Sequence, residues 1–444
     1  MKDFTTGNVA RHIFNFTLPM LLGNVFQQLY NIVDSIIVGK VLGKEALASV
    51  GASFPIIFTL IALLIGIGSG FSIVISQFYG AKDIDRVKRS IDTMYIFLFV
   101  TGFAISLLGI YFSEDLFRLL QLPEELIPQA TTYLNIYMGG MILFFGFNGT
   151  SSVLRGLGDS KTPLYFLILA SILNIVFDLL FVMVFKWGIA GAAWATVIAQ
   201  GIALIATLLY LNSSHKIMKF SLAKLKFDKD LFHKSLKIGL PSGLQHTFVA
   251  VGMMALLGIV NGFGTDVIAA YTAAGRIDSL AIMPAMNFSQ AVSAFVGQNL
   301  GANKIDRVKK GFKATFIMSN LFCLAMTALI VIFGSDLMRM FTTDPKVIEI
   351  GQNYLIIVSS FYLIFSSMFT IHGVLRGAGD TLIPMFITLF SLWIIRIPAA
   401  YFLSAEIGED GIWWSIPMGW VIGMSFSYIY YRTGKWKTKA VTNQ

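Results

Sequence analysis

Residues 77–90 have the sequence QFYGAKDIDRVKRS, and residues 298–311 have the sequence QNLGANKIDRVKKG. Eight of the fourteen positions are identical at an offset of 221 residues. A second pair, VLRGLGDSKTP from residue 153 and VLRGAGDTLIP from residue 374, is identical at seven of eleven positions at the same offset. Since the offset is almost half of the 444 residues, the chain is predicted to contain two copies of one structural unit.

Long apolar runs surround these repeated segments. The chain is 56% hydrophobic and 13% charged, with a mean hydropathy of +0.74, whereas soluble domains are roughly 25% charged. The runs are too long and too continuously apolar for the strands of a membrane barrel. We therefore predict an all-α polytopic membrane protein whose twelve transmembrane helices lie near residues 13–38, 47–78, 91–112, 128–154, 162–185, 189–211, 236–260, 267–297, 312–334, 349–375, 383–404 and 411–431.

The repeat assigns six helices to each half. A unit with an even number of spans repeats in the same orientation, so we expect two pseudo-symmetric six-helix bundles, arranged as parallel repeats. We predict four parts of the chain: an N-terminal lobe (1–211), a basic cytoplasmic linker (212–235), a C-terminal lobe (236–431) and a cytoplasmic tail (432–444).

The basic residues indicate the orientation of the chain in the membrane. Of the 33 Lys and Arg residues, 25 lie in the termini and in loops on the same side, and six lie in the opposite loops. The positive-inside rule then predicts a multi-pass protein of the cell (inner or plasma) membrane with both termini in the cytoplasm. This topology explains the net charge of +9, so we expect membrane lipid and no nucleic acid as a partner, and a monomer.

Polar residues form a stripe in the first predicted helix. Residues 24–35, NVFQQLYNIVDS, place polar side chains at helical spacings of three and four, at Asn24, Gln27, Gln28, Asn31, Asp34 and Ser35. A charge near the bilayer centre costs roughly 2.5–3.5 kcal/mol on insertion scales and usually marks function. Polar side chains also join membrane helices by hydrogen bonds, and that alternative applies to the uncharged members of the stripe.

A second acidic residue, Asp178, lies in the fifth predicted helix, one turn after Asn174. Thr196 lies in the sixth helix. If helices 1, 5 and 6 meet, Asp34 joins these three residues in one site. Two carboxylates at low dielectric cannot both stay ionised cheaply, so the pair holds a proton or attracts a cation. An all-oxygen set also suits Na⁺, and the sequence leaves H⁺ and Na⁺ open.

The second half differs from the first in these polar positions. Asp34 and Asp178 correspond by the repeat to Leu256 and Ala399. The second half has other polar residues in its predicted helices, whose roles the sequence leaves open, namely Gln245, His246, Arg276, Asp278 and Arg396. We expect Arg276 and Asp278 to neutralise each other.

Motifs of catalysis do not occur in the sequence. GKVLGKEA from residue 39 does not have the spacing of a nucleotide-binding loop, and neither H-E-x-x-H nor G-x-S-x-G is present. We therefore expect no enzyme activity and no cofactor, and an ion gradient of H⁺ or Na⁺ as the energy source.

Three segments carry a family resemblance. LPMLLGNVFQQLYNIVDSIIVG from residue 18, LRGLGDSKTP with its copy LRGAGDTLIP, and LNIVFDLLFV from residue 173 resemble the multidrug and toxic compound extrusion (MATE) transporters, in their DinF-like branch. The resemblance covers essentially the whole chain. It implies a V-shaped pair of six-helix bundles and antiport of drug-like, often cationic, compounds against H⁺ or Na⁺.

The resemblance also implies roles for individual residues. Four residues match the family's ion site, namely Asp34, Asn174, Asp178 and Thr196. Pro19 matches the proline around which helix 1 is proposed to bend. Tyr30 and Asn148 resemble further members of the polar network, and we expect both to line a substrate cavity together with Gln27 and Asn31.

These expectations combine into one function, a secondary active multidrug exporter that antiports cationic or amphiphilic organic compounds against H⁺ or Na⁺ by rocking alternating access. One alternative is a flippase of a lipid-linked precursor, which predicts a basic cavity where this chain has acidic and neutral polar residues. Another alternative is a non-transporting membrane receptor or scaffold, which would tolerate loss of Asp34.

Overall fold

The computed structural model describes residues 2–214, 220 and 225–443. Within these ranges the regular structure is helical, with no strand. The predicted linker 212–235 lies partly outside the described residues, at 215–219 and 221–224. The sixteen α-helices of the described ranges are α1 Val9–Ile37, α2 Lys44–Gly80, α3 Ile84–Tyr111, α4 Ser113–Leu119, α5 Ile127–Gly139, α6 Met141–Gly156, α7 Lys161–Asp178, α8 Ile189–Ser214, α9 Lys229–Asn261, α10 Thr265–Gly301, α11 Ile305–Arg339, α12 Pro345–Ser359, α13 Tyr362–Gly377, α14 Leu382–Leu389, α15 Ile397–Ile407 and α16 Glu409–Thr433.

Each of the twelve predicted spans coincides with one helix or with an interrupted helix. The fourth is α5 with α6, bent by 50°, and the tenth is α12 with α13, bent by 48°. Among the described residues, eight helices and these two bent pairs are long and apolar enough to cross a membrane. The first and last helices, α1 and α16, are long enough to cross a membrane but are less apolar than these. In α1 the polar stripe lowers the average hydropathy.

Short π-helical segments interrupt or extend three of the spans. They lie at Val38–Leu42 after α1, at Leu179–Val184 after α7, and at Phe390–Arg396 between α14 and α15. Such segments are rare and occur frequently at functional sites. Two of them follow the helices that carry the predicted acidic residues.

The chain divides into two compact units. The first unit contains Leu18–Lys237 with the first two residues, and the second unit contains Asp3–Thr17 and Ile238–Gln444. The first helix of each half is therefore divided, because α1 begins in the second unit and α9 begins in the first. A proline follows each division closely, Pro19 in α1 and Pro241 in α9. The lobe boundaries given above stay a prediction.

The N-terminal segment is docked firmly within the second unit. Phe4 is 1% exposed, and its N–H donates to Oε1 of Gln298 at 2.9 Å. Nη2 of Arg307 donates to the carbonyls of Phe4 and Thr6, both at 2.9 Å, and Nη1 donates to the carbonyl of Gly7 at 3.1 Å. One guanidinium thus binds three backbone carbonyls of a segment about 300 residues away.

The start of α9 is docked on α3 within the first unit. The N–H of Asp228, just before α9, donates to Oγ1 of Thr93 at 2.9 Å, and its carboxylate lies 3.8 Å from Arg89. The rings of Phe232 and Phe97 are 5.3 Å apart. The segment that leads into the first helix of each half is therefore held by its own set of contacts.

The repeated motif LRG-x-GD is explained by close helix packing. A Cβ atom on Gly156 would lie 2.6 Å from the carbonyl oxygen of Ser72, and one on Gly377 would lie even closer to that of Ser293. The second glycine of each motif has a positive φ, 78° in the first copy and 88° in the second. Both positions exclude larger residues, which accounts for the motif's recurrence in both halves.

Candidate functional site

Two acidic side chains meet inside the first unit. Asp34 lies near the end of α1, and Asp178 is the last residue of α7. Asp178 is 0% exposed, whereas Asp34 is partly buried. The two carboxylates lie close enough that each affects the charge of the other. The structure therefore brings together the two carboxylates that the sequence singled out.

Most oxygens of the carboxylate pair accept no hydrogen bond from the described residues. Oδ1 of Asp34 and both carboxylate oxygens of Asp178 are buried, without a hydrogen-bond partner in the described part of the chain. Ionised carboxylates only accept hydrogen bonds, so two of them in contact lack a donor between them. An unsatisfied buried polar group costs about 1–3 kcal/mol, and a charged one costs more. A proton or a bound cation would interact with these oxygens and offset that cost.

An amide and a hydroxyl extend this site. Nδ2 of Asn174 donates to Oγ1 of Thr196 at 3.2 Å, and that hydroxyl donates to the carbonyl of Ala192 at 3.1 Å. Oδ1 of Asn174 and Oε1 of Gln200 are buried without a donor, again among the residues described. Asn174 and Thr196 thus contact each other, and Asn174 lies one turn before Asp178 on α7. Their part in an ion site stays a prediction.

The donor set limits the kind of cation that fits. Within the described ranges no group of three or more His, Cys, Asp or Glu residues is arranged to hold a metal ion. A thiolate or imidazole site of the kind that binds transition metals is therefore not found there. Carboxylate, amide and hydroxyl oxygens suit a hard monovalent cation or a proton.

Three tyrosines lie near enough to the carboxylates to be affected by their charge, and the sequence had indicated only one of them. The negative charges of Asp34 and Asp178 act on the hydroxyl group of Tyr30 and on that of Tyr133, which lies on α5. Tyr137 lies one turn further along α5, with its ring 6.2 Å from that of Tyr133. Both α5 tyrosines are almost fully buried. Their spacing of four residues was the available signal, but buried core aromatics show the same spacing.

Of the remaining predicted cavity residues, Asn31 and Asn148 form hydrogen bonds within their own helices. Gln27 and Asn31 are exposed on α1, and Nδ2 of Asn31 donates to Oε1 of Gln28 at 3.4 Å. Nδ2 of Asn148 donates to the carbonyl of Phe144, one turn earlier in α6, at 3.0 Å. These bonds do not connect them to the carboxylate pair. Their role in a substrate cavity stays a prediction.

Pro19 is buried inside α1, which continues on both sides of it. It lies two residues after the division between the units, and its role as a hinge, which the family resemblance implies, stays a prediction. Because proline has no N–H, the helix lacks one backbone hydrogen bond there.

The expected pairing of Arg276 with Asp278 is wrong. Asp278 accepts hydrogen bonds from Tyr362 at 2.6 Å and from Tyr354 at 3.4 Å. Arg276 is exposed on the outside of α10. Residues two apart on a helix do not face each other, which explains why these two separate.

Comparison with known proteins supports the repeat and the fold. A sequence model of the MatE family matches residues 19–180 and again residues 241–402. The chain is 36% identical over 436 residues to the protein named "Probable multidrug resistance protein YpnP" of Bacillus subtilis strain 168, covering 98% of this chain and 97% of the relative. It is 33% identical over 444 residues to "Probable multidrug resistance protein YoeA" of the same strain, covering 98% and 96%.

Solved structures have the same fold. A structure described as the outward-facing conformation of a multidrug resistance MATE family transporter of the MOP superfamily gives a TM-score of 0.91 at 24% identity, covering 98% of each chain. This likeness confirms the predicted architecture, twelve transmembrane helices in two pseudo-symmetric six-helix bundles. The chain therefore belongs to the MatE family, the multidrug and toxic compound extrusion transporters of the membrane.

Proposed function

We propose that this protein is a secondary active exporter that antiports cationic or amphiphilic organic compounds against H⁺ or Na⁺. The observation that carries the proposal is the buried pair Asp34 and Asp178, with three carboxylate oxygens that lack a donor among the described residues. The names of the two Bacillus subtilis relatives support multidrug compounds as the substrate class. We place the protein in the cell membrane with both termini in the cytoplasm, since the basic residues favour that orientation.

The carboxylate pair links the ion to the substrate through charge. Without a bound ion, the pair is an unbalanced negative site that attracts an organic cation. One proton forms a hydrogen bond between the two carboxylates, or one Na⁺ is bound by their oxygens with those of Asn174 and Thr196. Either ion neutralises the site and weakens its hold on the substrate. Ion and substrate therefore compete, which is the thermodynamic requirement for antiport.

The geometry also gives the ion a way to influence α1. Asp34 lies fifteen residues after Pro19 on the same helix and one turn before the π-helical segment Val38–Leu42. Neutralising Asp34 removes its repulsion from Asp178, which allows α1 to move relative to α7. In this mechanism the two lobes then rock to the opposite orientation, release the ion and accept a new substrate.

The direct test is efflux of a fluorescent cationic dye from proteoliposomes under an imposed pH gradient or Na⁺ gradient. Wild type is expected to export dye under one of the two gradients, and that gradient identifies the ion. Asp34→Asn is expected to abolish gradient-driven export while the protein stays folded. Asp115→Asn, an exposed carboxylate on α4, is the matched control and should export normally. Normal export by Asp34→Asn would contradict the proposal.

A further inference from the structure

The segment that follows α16 is folded onto the second unit. α16 ends at Thr433, and a short 3₁₀ helix, Lys435–Thr438, comes directly after the left-handed turn at Gly434. Trp436 on this short helix is 1% exposed, and Ala440 is also 1% exposed. Both belong to one apolar cluster with side chains of α10, α11 and α13. The segment therefore has a fixed place on the bundle.

A stack of three aromatic rings anchors this segment. The ring of Trp436 is stacked on that of Tyr431, with centroids 5.5 Å apart and planes inclined by 7°. The ring of Tyr431 is stacked in turn on that of Phe312 on α11, at 4.8 Å. Nε1 of Trp436 donates to the carbonyl of Tyr431 at 3.1 Å. Burial of these large rings holds the backbone on both sides of Trp436 in position.

The charged side chains of this segment stay accessible. The basic patch, defined as Arg432, Lys435, Lys437 and Lys439, places four cations within eight residues, and the same stretch has no acidic residue. All four side chains are exposed or partly exposed. In the described part of the chain, none of them forms an ion pair with a carboxylate. The patch is therefore available to an anion from outside the protein.

Aromatic side chains orient two of these cations without neutralising them. Nζ of Lys437 lies 5.9 Å from the ring centroid of Trp436. Nη1 of Arg432 donates to the hydroxyl oxygen of Tyr428 at 3.1 Å, and its guanidinium lies 5.8 Å from the centroid of that ring. A ring face attracts a cation but carries no net negative charge. The basic patch thus keeps its charge on a backbone whose position is fixed.

The basic patch directly follows an apolar surface of α16. Phe426 and Ile429 are 44% and 61% exposed on this helix, which is the last membrane span of the fold. Tyr428, also exposed, is of the residue type that lies where hydrocarbon meets the lipid headgroups. Arg432, the first cation of the patch, comes one helical turn later. The patch therefore lies at the level of the lipid phosphates.

We propose that the basic patch is a binding site for the headgroups of anionic phospholipids. Basic clusters immediately after a membrane helix attract anionic lipids. A phospholipid fits better than a free phosphate, because its acyl chains cover the exposed apolar side chains of α16 while its phosphate contacts the cations. The site goes beyond the proposed antiport and does not depend on it, because the carboxylate pair lies in the first unit.

Hydrogen exchange at residues 434–442, measured by mass spectrometry, tests the site. A ligand that binds only the docked segment slows its undocking, by a factor of one plus the ratio of ligand concentration to Kd. The protein is compared in nanodiscs of phosphatidylcholine and in nanodiscs that also contain phosphatidylglycerol. Exchange in this segment is expected to be about tenfold slower with phosphatidylglycerol, as for a lipid at about ten times its Kd.

Lys435→Gln/Lys437→Gln/Lys439→Gln tests the charges of the patch. The triple variant keeps the aromatic stack, so the segment should stay docked in phosphatidylcholine. Its exchange should no longer respond to phosphatidylglycerol, because three of the four cations are lost. The matched control removes three exposed lysines of the first unit, in Lys226→Gln/Lys229→Gln/Lys237→Gln. This control should keep the full response at residues 434–442.

Trp436→Ala tests the anchor, because it leaves every charge of the basic patch in place. Its segment should exchange rapidly in both kinds of nanodisc, since the cations are no longer held in one arrangement. Trp436→Phe keeps an aromatic ring at this position and should restore both the slow exchange and the response to phosphatidylglycerol. A full lipid response in Trp436→Ala would contradict a site built on the docked segment.

Three further outcomes would overturn the inference. In the first, exchange at residues 434–442 is the same with and without phosphatidylglycerol. In the second, the control triple loses the response as completely as the patch triple, which would assign the effect to net charge. In the third, inorganic phosphate or polyglutamate slows exchange in phosphatidylcholine nanodiscs as much as phosphatidylglycerol does, which would assign the patch to a free phosphate or to an acidic protein.

Discussion

At the scale of single residues, the candidate site is recognised by buried side-chain oxygens that accept no hydrogen bond from the described residues. The side chains of Asp34, Asp178 and Asn174 present buried oxygens for which the described part of the chain offers no donor. The sequence predicted these residues because a carboxylate in an apolar span has few structural explanations. It did not predict Tyr133 and Tyr137, because buried aromatics in a membrane helix show the same pattern whether they line a site or fill a core.

Thr196→Val tests the neutral part of the site. The substitution keeps the shape of the side chain but removes the hydroxyl that accepts from Asn174. We expect ion-driven efflux to fall about tenfold, as for loss of roughly 1.4 kcal/mol of ion binding. Thr207→Val is the matched control, because Thr207 is also buried on α8 and donates only to the carbonyl of Ala203, one turn back. Equal loss in both variants would show that Thr196 acts on the helix rather than on the ion.

Asp178→Asn separates stability from function at the same site. In Na⁺-free buffer at high pH the two carboxylates repel, so removing one charge should raise the free energy of unfolding by about 1–3 kcal/mol. The gain should shrink as pH falls or Na⁺ is added, because the ion then neutralises the wild-type pair. Chemical or thermal unfolding in detergent measures it. A variant that is less stable than wild type under ion-free conditions would contradict the account.

At the scale of elements, the first helix of each half is divided between the units. The sequence predicted both helices from their apolar runs, but it did not predict this division or the docking of the N-terminal segment. The bond from Phe4 to Gln298 joins residues 294 positions apart. Contacts of that kind leave no periodic pattern in either segment. The i, i+2 spacing of Arg276 and Asp278 was the one available warning against pairing them.

Arg307→Ala should release the N-terminal segment from the second unit. The substitution removes the donors to the carbonyls of Phe4, Thr6 and Gly7, so hydrogen exchange in this segment should accelerate about tenfold or more, given roughly 1.5–3 kcal/mol for hydrogen bonds to a charged group. Exchange measured by mass spectrometry on the first ten residues reports this. Arg86→Ala is the matched control, because Arg86 is the repeat partner of Arg307 and pairs instead with Asp83. Unchanged exchange in Arg307→Ala would show that the other contacts suffice.

Pro19→Ala tests the predicted hinge in α1. Alanine restores the backbone N–H and removes the steric constraint on the preceding turn, so α1 should stiffen. We expect slower dye efflux with unchanged dye affinity, because the substitution alters movement rather than the site. Pro55→Ala in α2, also a proline inside a membrane helix, should transport at the wild-type rate. A wild-type rate for Pro19→Ala would argue against a hinge at this position.

At the scale of the whole molecule, one structural unit has been used twice and has diverged in its charges. In both copies of the LRG-x-GD motif, the first glycine is needed because the helices approach closely there, and the second because its φ is positive. The carboxylate pair occurs in the first copy only, and the second copy holds Asp278, which accepts hydrogen bonds from Tyr354 and Tyr362. Hydropathy and the 221-residue repeat made the fold predictable from sequence. The surroundings of Asp278 could be found only from the side-chain contacts, because the two tyrosines that bind it lie 76 and 84 residues further along the chain.

The central claim is that ion and substrate compete for the pair Asp34 and Asp178, and ion release on substrate binding tests it most directly. A cationic dye is added to purified protein in weakly buffered detergent solution while released H⁺ or Na⁺ is recorded. The account predicts that dye binding releases roughly one ion per wild-type protein, as linkage at a shared site requires. It predicts no release from Asp34→Asn/Asp178→Asn. Dye binding to wild type without ion release, or equal release from the double variant, would contradict it.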